Sequence, residues 1–194
     1  MPIQFKNFID SHKDQSCYIF GTGPSALHRQ VPDGVFTFGV NDIERLGITP
    51  DFLVCVDALK TFTDTSRVPF IVNSHAKICF TRCLERDLML KTSKRCMITI
   101  SNRRGEIRLN PEELDVSYTS VYIALGIAYH LGFSNITIAG CDLSSESEHH
   151  LGKRSSQIEK HFVDLRNEML LRRPNAKIKS ASNKNGVLKS FEQI

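Results

Sequence analysis

The chain predicts an α/β fold built on an open, mainly parallel sheet flanked by helices, and three observations carry that expectation. First, short apolar runs end repeatedly in small polar residues: Cys17–Phe20 runs into Gly21-Thr22-Gly23, Phe36–Val40 into Asn41-Asp42, and Phe52–Val56 into Asp57. Such runs suit strands covered on both faces, in sheets whose ligands sit outside the carboxyl ends of the strands. Second, Thr119 to Gly140 reads as a helix followed by a strand, the crossover unit of an α/β fold. Third, Ile158, Phe162, Leu165 and Met169 recur at helical spacing and define one apolar face.

Length and composition fix the scale. With 194 residues, 41% of them hydrophobic, the chain can bury one full core, and no break in composition divides it, so a single domain over residues 1–194 is expected. Near the start, Phe5, Phe8 and Ile9 are interrupted by Lys6, Asn7 and Asp10. No apolar run approaches the ~18 residues that span a bilayer. A soluble, cytoplasmic protein is the expectation. Six cysteines fit that compartment: Cys17, Cys55 and Cys141 fall in or beside core strands, where a reduced thiol behaves as a small hydrophobe. Cys79-x3-Cys83 with Cys96 and His75 departs from standard zinc spacings, so no metal site is expected.

Each element follows from local chemistry. Gly21 and Gly23 can take positive φ and admit a ligand close to the backbone, while Pro24 suits the first turn of a helix. The N–H groups and dipole of that helix would favour a phosphate, which makes Gly21, Thr22, Gly23, Pro24 and Ser25 candidate nucleotide-binding residues. A turn that binds nothing is the alternative for the same residues. At the next two strand ends, Asn41 can offer an amide and Asp57 can accept from ribose hydroxyls, although both residue types also favour turns.

Phe70-Ile71-Val72, Lys77–Phe80 and Met97–Ile100 read as short strands. Ser101 to Ser117 reads as a loop on the ligand side, where Arg103 and Arg104 either reach an anionic substrate or are solvated. Thr119 and Ser120 cap a helix from Val121 to Leu131, Gly132 ends it, and Asn135–Gly140 is a strand. That helix start is a second candidate anion site facing the glycine turn, or a cap without a ligand. After Asp142, the loop carrying His149 and His150 has side chains suited to general acid or base work. A helix follows, then a last strand at Lys177-Ile178-Lys179 and a polar turn at Asn183–Gly186. From Leu151 to Ile194 there are ten Lys/Arg against four Asp/Glu, a basic third that suits either a polyanion or plain solvent.

Taken together, Gly21-Thr22-Gly23-Pro24-Ser25, Val40-Asn41, Pro50–Asp57, Thr119–Tyr122 and Leu131–Asp142 resemble the core of small bacterial sialyltransferases, glycosyltransferase family 42, and of the related motility-associated-factor glycosyltransferases. The likeness runs in order from about Cys17 to Leu188. It implies a single Rossmann-like domain of the GT-A-variant kind and metal-independent transfer of a sugar from a nucleotide-sugar donor, without a further cofactor. Gly21, Thr22, Gly23, Asn41, Asp57, Thr119 and Ser120 would line the nucleotide. Those enzymes usually carry Asn where Thr22 stands, and after the position of Asp142 they have a long lid with tyrosines that this chain lacks. Aligned on their pattern, Lys153 stands where their catalytic histidine falls. The catalytic candidates are therefore His149 or His150 as base, oriented by Asp142, and Lys153 on the leaving phosphate with the Thr119-Ser120 helix start.

Three readings of function remain open at this level. The first is a glycosyltransferase acting on an acceptor hydroxyl of a cell-surface glycan or a nucleic acid. A pyrophosphokinase, or a non-catalytic nucleotide-binding module of the same fold, is the second, because fold does not fix function. An NAD(P)-dependent oxidoreductase is the third, since Gly21-x-Gly23-x-x-Ala26 satisfies a loose dinucleotide fingerprint and Asp42 lies about twenty residues on.

Overall fold

A computed structural model of the chain describes residues 3–82, 94–143, 154–182 and 186–193. In chain order the elements are β1 (Ile3–Gln4), β2 (Ser16–Phe20), β3 (Phe36–Val40), β4 (Phe52–Val54), α1 (Val68–Val72), β5 (Ile78–Thr81), β6 (Lys94–Met97), β7 (Ile100–Arg104), β8 (Leu114–Val116), α2 (Ser120–His130), β9 (Asn135–Ala139), α3 (Ser155–Arg172), β10 (Lys177–Ser180) and β11 (Glu192–Gln193). Nine strands form one sheet in the order β1-β6-β5-β4-β3-β2-β9-β10-β11, and every pairing in it is parallel. From β2 the chain steps outward through β3, β4, β5 and β6, then returns to lay β9 on the other side of β2. The strand order therefore reverses between β2 and β9, where a parallel sheet opens a crevice at its carboxyl ends.

Period-two alternation divides the strand residues between two buried faces. Cys17, Ile19, Phe38, Val40, Phe52, Val54 and Phe80 join the larger core beneath α2 and α3. Phe20, Leu53, Cys55, Cys79 and Ala139 point to the opposite face, where Ile43, Phe62 and Ile71 cover them from short helical segments. Aromatic rings bind the first face across three strands, with Phe38 and Phe52 at 4.8 Å and Phe52 and Phe80 at 5.9 Å between centroids. Residues 121–130 of α2 are all buried, because the sheet packs on one side and β8 and α3 on the others. An apolar run such as Val121 to Ala128 is what a helix without a solvent face requires.

Three expectations are corrected. Phe70-Ile71-Val72 belongs to α1 rather than to a strand, because Pro69 sets the first turn of a helix and Ile71 is its buried residue. The stretch from Ser101 to Ser117 is not simply a loop. β7 and β8 pair as a parallel ribbon that packs on α2, and the connection between them folds around the Asp115 carboxylate, which accepts from the backbone N–H groups of Arg108 and Leu109 at 3.0 Å and 2.9 Å. Met97–Ile100 is not one strand: Met97 ends β6, Ile100 begins β7, and the two belong to different sheets. The other helices and strands read from the sequence are found with small shifts at their ends. No helix among the described residues is long and apolar enough to cross a membrane.

Burial of His130 ties stability to pH. Desolvation first, then the nearby Arg173 and Arg172, hold its pKa down at about 4 against an ordinary value near 6.5, with Asp10 opposing. The unfolded chain therefore binds the proton more readily than the folded one between those values, so stability falls as pH is lowered through that window. Urea unfolding should show a loss of up to about 3 kcal/mol between pH 6.5 and 4. His130→Gln should flatten that slope; an unchanged slope in the variant would place its origin in another group.

Candidate active site

At the switch point, the glycine turn is closed against the other side of the crevice. Ser25 Oγ accepts from Gly140 N–H at 2.8 Å, and Ser25 N–H donates to Asp142 Oδ2 at 2.8 Å. A Cβ on Gly21 would run into the Gly140 carbonyl, and one on Gly23 would lie 2.5 Å from Asp142 Oδ2 and 2.7 Å from the Gly140 oxygen. Glycine is needed here for backbone against backbone, not for left-handed φ: Gly23 has φ −77°, and only Gly140, at +72°, is left-handed at this junction. The segment after the turn, Pro24–His28, is a five-residue 3-10 helix, too short to carry an appreciable dipole. Gly21 does approach the start of α2, since its Cβ position is 3.0 Å from Val121 Cγ2.

The open cavity lies to one side, over the carboxyl ends of β4 and β5, with a volume of about 360 Å³. Val56, Val116 and Ile123 are its buried apolar lining. Thr119 and Ser120 bring the start of α2 to its wall, with the Thr119 hydroxyl accepting from Tyr122 N–H at 3.3 Å as the helix cap. Three arginines converge from three separate parts of the chain. Arg82 extends from the end of β5, its Nε donating to the Val56 carbonyl at 2.7 Å. Arg104, at the end of β7, and Arg154, just before α3, both lie over the Tyr118 ring, at 5.2 Å and 4.8 Å from its centroid. Asp57 is the one carboxylate among these lining residues, so the wall is cationic by composition.

Guanidinium groups, side-chain hydroxyls and the first N–H groups of an eleven-residue helix are donors matched to phosphate oxygens. Of the residues anticipated from sequence, Asp57, Thr119 and Ser120 meet in this cavity together with Arg104. Gly21, Thr22, Gly23, Pro24 and Ser25 form the neighbouring turn and do not line it. Asp142 is engaged with that turn. Asn41 follows β3 in a left-handed conformation, φ 51°, and its buried Oδ1 has no hydrogen-bond partner among the described residues. His149, His150 and Lys153 lie outside the described residues, as does Cys83; among the described residues no cluster of His, Cys, Asp or Glu is placed to hold a metal. Arg103 points elsewhere, paired with Glu106 at 3.3 Å.

Arg82 and Arg154 escaped the sequence reading. Arg82 carries the same signal as Asp57, a polar residue directly after a strand, and Arg154 sits one position after Lys153. Of the ten basic residues in the C-terminal third, five are ion-paired among the described residues: Lys160, Arg172, Arg173, Lys179 and Lys189 pair with Asp164, Glu168, Asp10, Glu192 and Glu159. Arg154 is its contribution to the cavity.

A parallel α/β sheet with a donor-rich cavity at its carboxyl edge defines a Rossmann-like α/β protein. The chain belongs to the MptE-like family, whose model, described as 6-hydroxymethylpterin diphosphokinase MptE-like, matches residues 39–148. Among solved structures it is similar to the sialyltransferase CstII from Campylobacter jejuni in complex with the substrate analogue CMP-3FNeuAc, with a TM-score of 0.51, 13% identity, and 93% of this chain covered against 85% of that one. A variant of that sialyltransferase in complex with CMP gives a TM-score of 0.53 at 12% identity, over 93% of this chain and 86% of the other. At such identity the likeness establishes the fold. No curated protein sequence matches the chain.

The geometry separates the two neighbouring regions by experiment. Arg104→Ala and Arg154→Ala should each weaken binding of inorganic pyrophosphate, measured by calorimetry, by roughly 10-fold or more, the loss of one charge-assisted hydrogen bond. Unaltered affinity in both variants would move the anion site away from the cavity. Gly23→Ala should instead lower thermal stability, by an overpacking cost of about 1–3 kcal/mol, because the new methyl meets Asp142 and Gly140. A variant as stable as the parent would show that the turn can open to admit a ligand.

Proposed function

We propose that the chain transfers a phosphate-activated group from a nucleotide donor to an acceptor hydroxyl, with the donor phosphates held in the arginine-lined cavity. The convergence of Arg82, Arg104 and Arg154 on the start of α2 carries this reading. In such a transfer the electron pair of the broken bond goes to the leaving phosphate, and fixed cations and N–H groups lower the barrier by meeting that charge where it develops. Donors already oriented by packing, as Arg104 and Arg154 are on Tyr118, need little reorganisation when the charge appears.

Within this class the reading favoured here is diphosphoryl transfer from a nucleoside triphosphate. Family membership supports it, and so does charge: three guanidiniums against one carboxylate suit a chain of phosphates better than the single bridging phosphate of a CMP-linked sugar. The pyrophosphokinase alternative of the sequence reading thus moves ahead of glycosyl transfer. Glycosyl transfer is the second reading, supported by the fold shared over most of the chain with a sialyltransferase whose structures hold CMP and CMP-3FNeuAc. For both, the apolar floor of Val56, Val116 and Ile123 favours a compact acceptor carrying a hydroxyl.

A thermal-shift screen of nucleoside mono-, di- and triphosphates and of CMP-, UDP- and GDP-sugars identifies the donor, since a ligand at about 100 times its Kd adds ~2.7 kcal/mol of stability. Phosphorus NMR of the reaction with pooled hydroxyl acceptors then identifies the chemistry. A nucleoside triphosphate giving the monophosphate and a diphosphorylated acceptor is the expected result. A CMP-sugar giving CMP and a glycosylated acceptor would establish the second reading, and stabilisation by none of these donors would refute the class. Repeating the productive reaction in EDTA tests the expectation of metal-independent transfer.

A further inference from the structure

Behind the arginines lies a pair of groups that phosphate binding does not use. Ser117, just after β8, is only 4% exposed yet lines the cavity, and its Oγ lies 2.9 Å from Nδ1 of His161 on α3. His161 is buried on the same stripe as Ile158 and Phe162, where packing alone would call for an apolar side chain. Its ring is held from two directions. Tyr118 stacks on it with centroids 5.9 Å apart and planes at 11°, and Gly105 vacates the space taken by the imidazole edge, since a Cβ there would collide with Nε2. A fixed imidazole with one nitrogen on a hydroxyl that faces a ligand cavity is the arrangement by which proteins make a hydroxyl exchange protons.

We propose that Ser117 and His161 form a proton relay that takes the proton from the acceptor hydroxyl during transfer. The proposal rests on the transferase reading above and supplies its base from the described residues. As the acceptor oxygen bonds to the donor's electrophilic atom, phosphorus for diphosphoryl transfer or the anomeric carbon for glycosyl transfer, its proton passes to Ser117 Oγ. The proton of Ser117 passes in the same step to His161 Nδ1. The bond from the electrophilic atom to the leaving phosphate oxygen breaks, and its electron pair stays on that phosphate opposite the arginines. His161 then returns the proton to solvent as products leave.

Ser117 is the catalytic residue, touching the acceptor, and His161 is a positioning residue that acts through it. The relay requires a neutral imidazole with an unprotonated Nδ1. Burial first, then Lys160, lower the His161 pKa from its ordinary value, with Asp164 opposing. Tyr118 faces the ring from the end of β8, and Arg104 and Arg154 lie beyond that tyrosine. The charge balance around the ring thus favours the neutral form at neutral pH.

The test combines nitrogen NMR of histidine-labelled protein with turnover of the donor selected by the screen. The spectrum of the parent protein should show His161 Nδ1 as an unprotonated, accepting nitrogen; a proton on Nδ1, donated to Ser117, would overturn the relay whether or not any variant folds. Ser117→Ala and His161→Gln should each lower kcat by about 100-fold or more, the double variant should be no slower than either, and Ser117→Thr should retain a tenth or more of the activity. Affinity for inorganic pyrophosphate should stay within about threefold in all of them, since the arginines are untouched. His161→Gln should also abolish the fall of kcat on the acid side. Full turnover in Ser117→Ala, or an acid limb that survives in His161→Gln, would overturn the relay alone. A parent protein that binds no pyrophosphate would overturn the donor reading and the relay with it.

Discussion

The whole arrangement depends on burying α2 from every side. An eleven-residue helix with residues 121–130 buried cannot turn a polar face to water, so the sheet must cover one flank and β8 and α3 the others. Each fully buried aliphatic side chain contributes roughly 1.5–3 kcal/mol, which makes this helix a principal source of the fold's stability. Water reaches its backbone donors where it starts. That start is capped by Thr119 and forms a wall of the cavity, so the helix that organises the core also aims its N–H groups at the ligand.

Once α2 is fixed, the position of the cavity follows. The β2–β9 switch point, where a ligand would ordinarily sit in such a sheet, is occupied by the chain itself: Ser25, Gly140 and Asp142 lock the glycine turn to the opposite strand end. Ligand space opens instead above β4 and β5, where the β7–β8 ribbon and the residue before α3 bring Arg104, Tyr118 and Arg154 over the sheet edge. A charged ligand there meets guanidiniums already held on an aromatic ring and hydroxyls already held at a helix cap. In the proposed transfer, phosphate and hydroxyl acceptor would take separate sides of one cavity, the arginine rim and the buried Ser117.

Sequence alone exposed β2 to β5, β9, β10, α2 and α3, because a parallel sheet writes its interior as unbroken apolar runs and an amphipathic helix writes its face at fixed spacing, while the outer strands β1, β6 and β11 escaped it. It misassigned Phe70–Val72, where three apolar residues suit either state and only Pro69 tips the balance, and it missed the β7–β8 ribbon, whose strands are short and rich in charge. The site was legible in part. Asp57, Thr119 and Ser120 stood out because each follows a strand or caps a helix, a local signal. Arg82 carries the same strand-end signal and was passed over, whereas Arg154 and the Ser117–His161 pair had no local signal, since their meaning comes from contacts between distant segments, 44 residues apart for Ser117 and His161. The glycine turn drew attention for close approach, and the close approach seen in the structure is to Gly140 and Asp142.

Whether phosphates bind beside α2 or in the glycine turn is decided by a crystal structure of the chain grown with a non-hydrolysable nucleoside triphosphate. Phosphate oxygens should lie within hydrogen-bond distance of Arg104 and Arg154 and of the first N–H groups of α2, with the Ser25–Asp142 contact intact. Phosphates seated on Gly21-Thr22-Gly23, with Asp142 displaced from Ser25, would contradict binding beside α2.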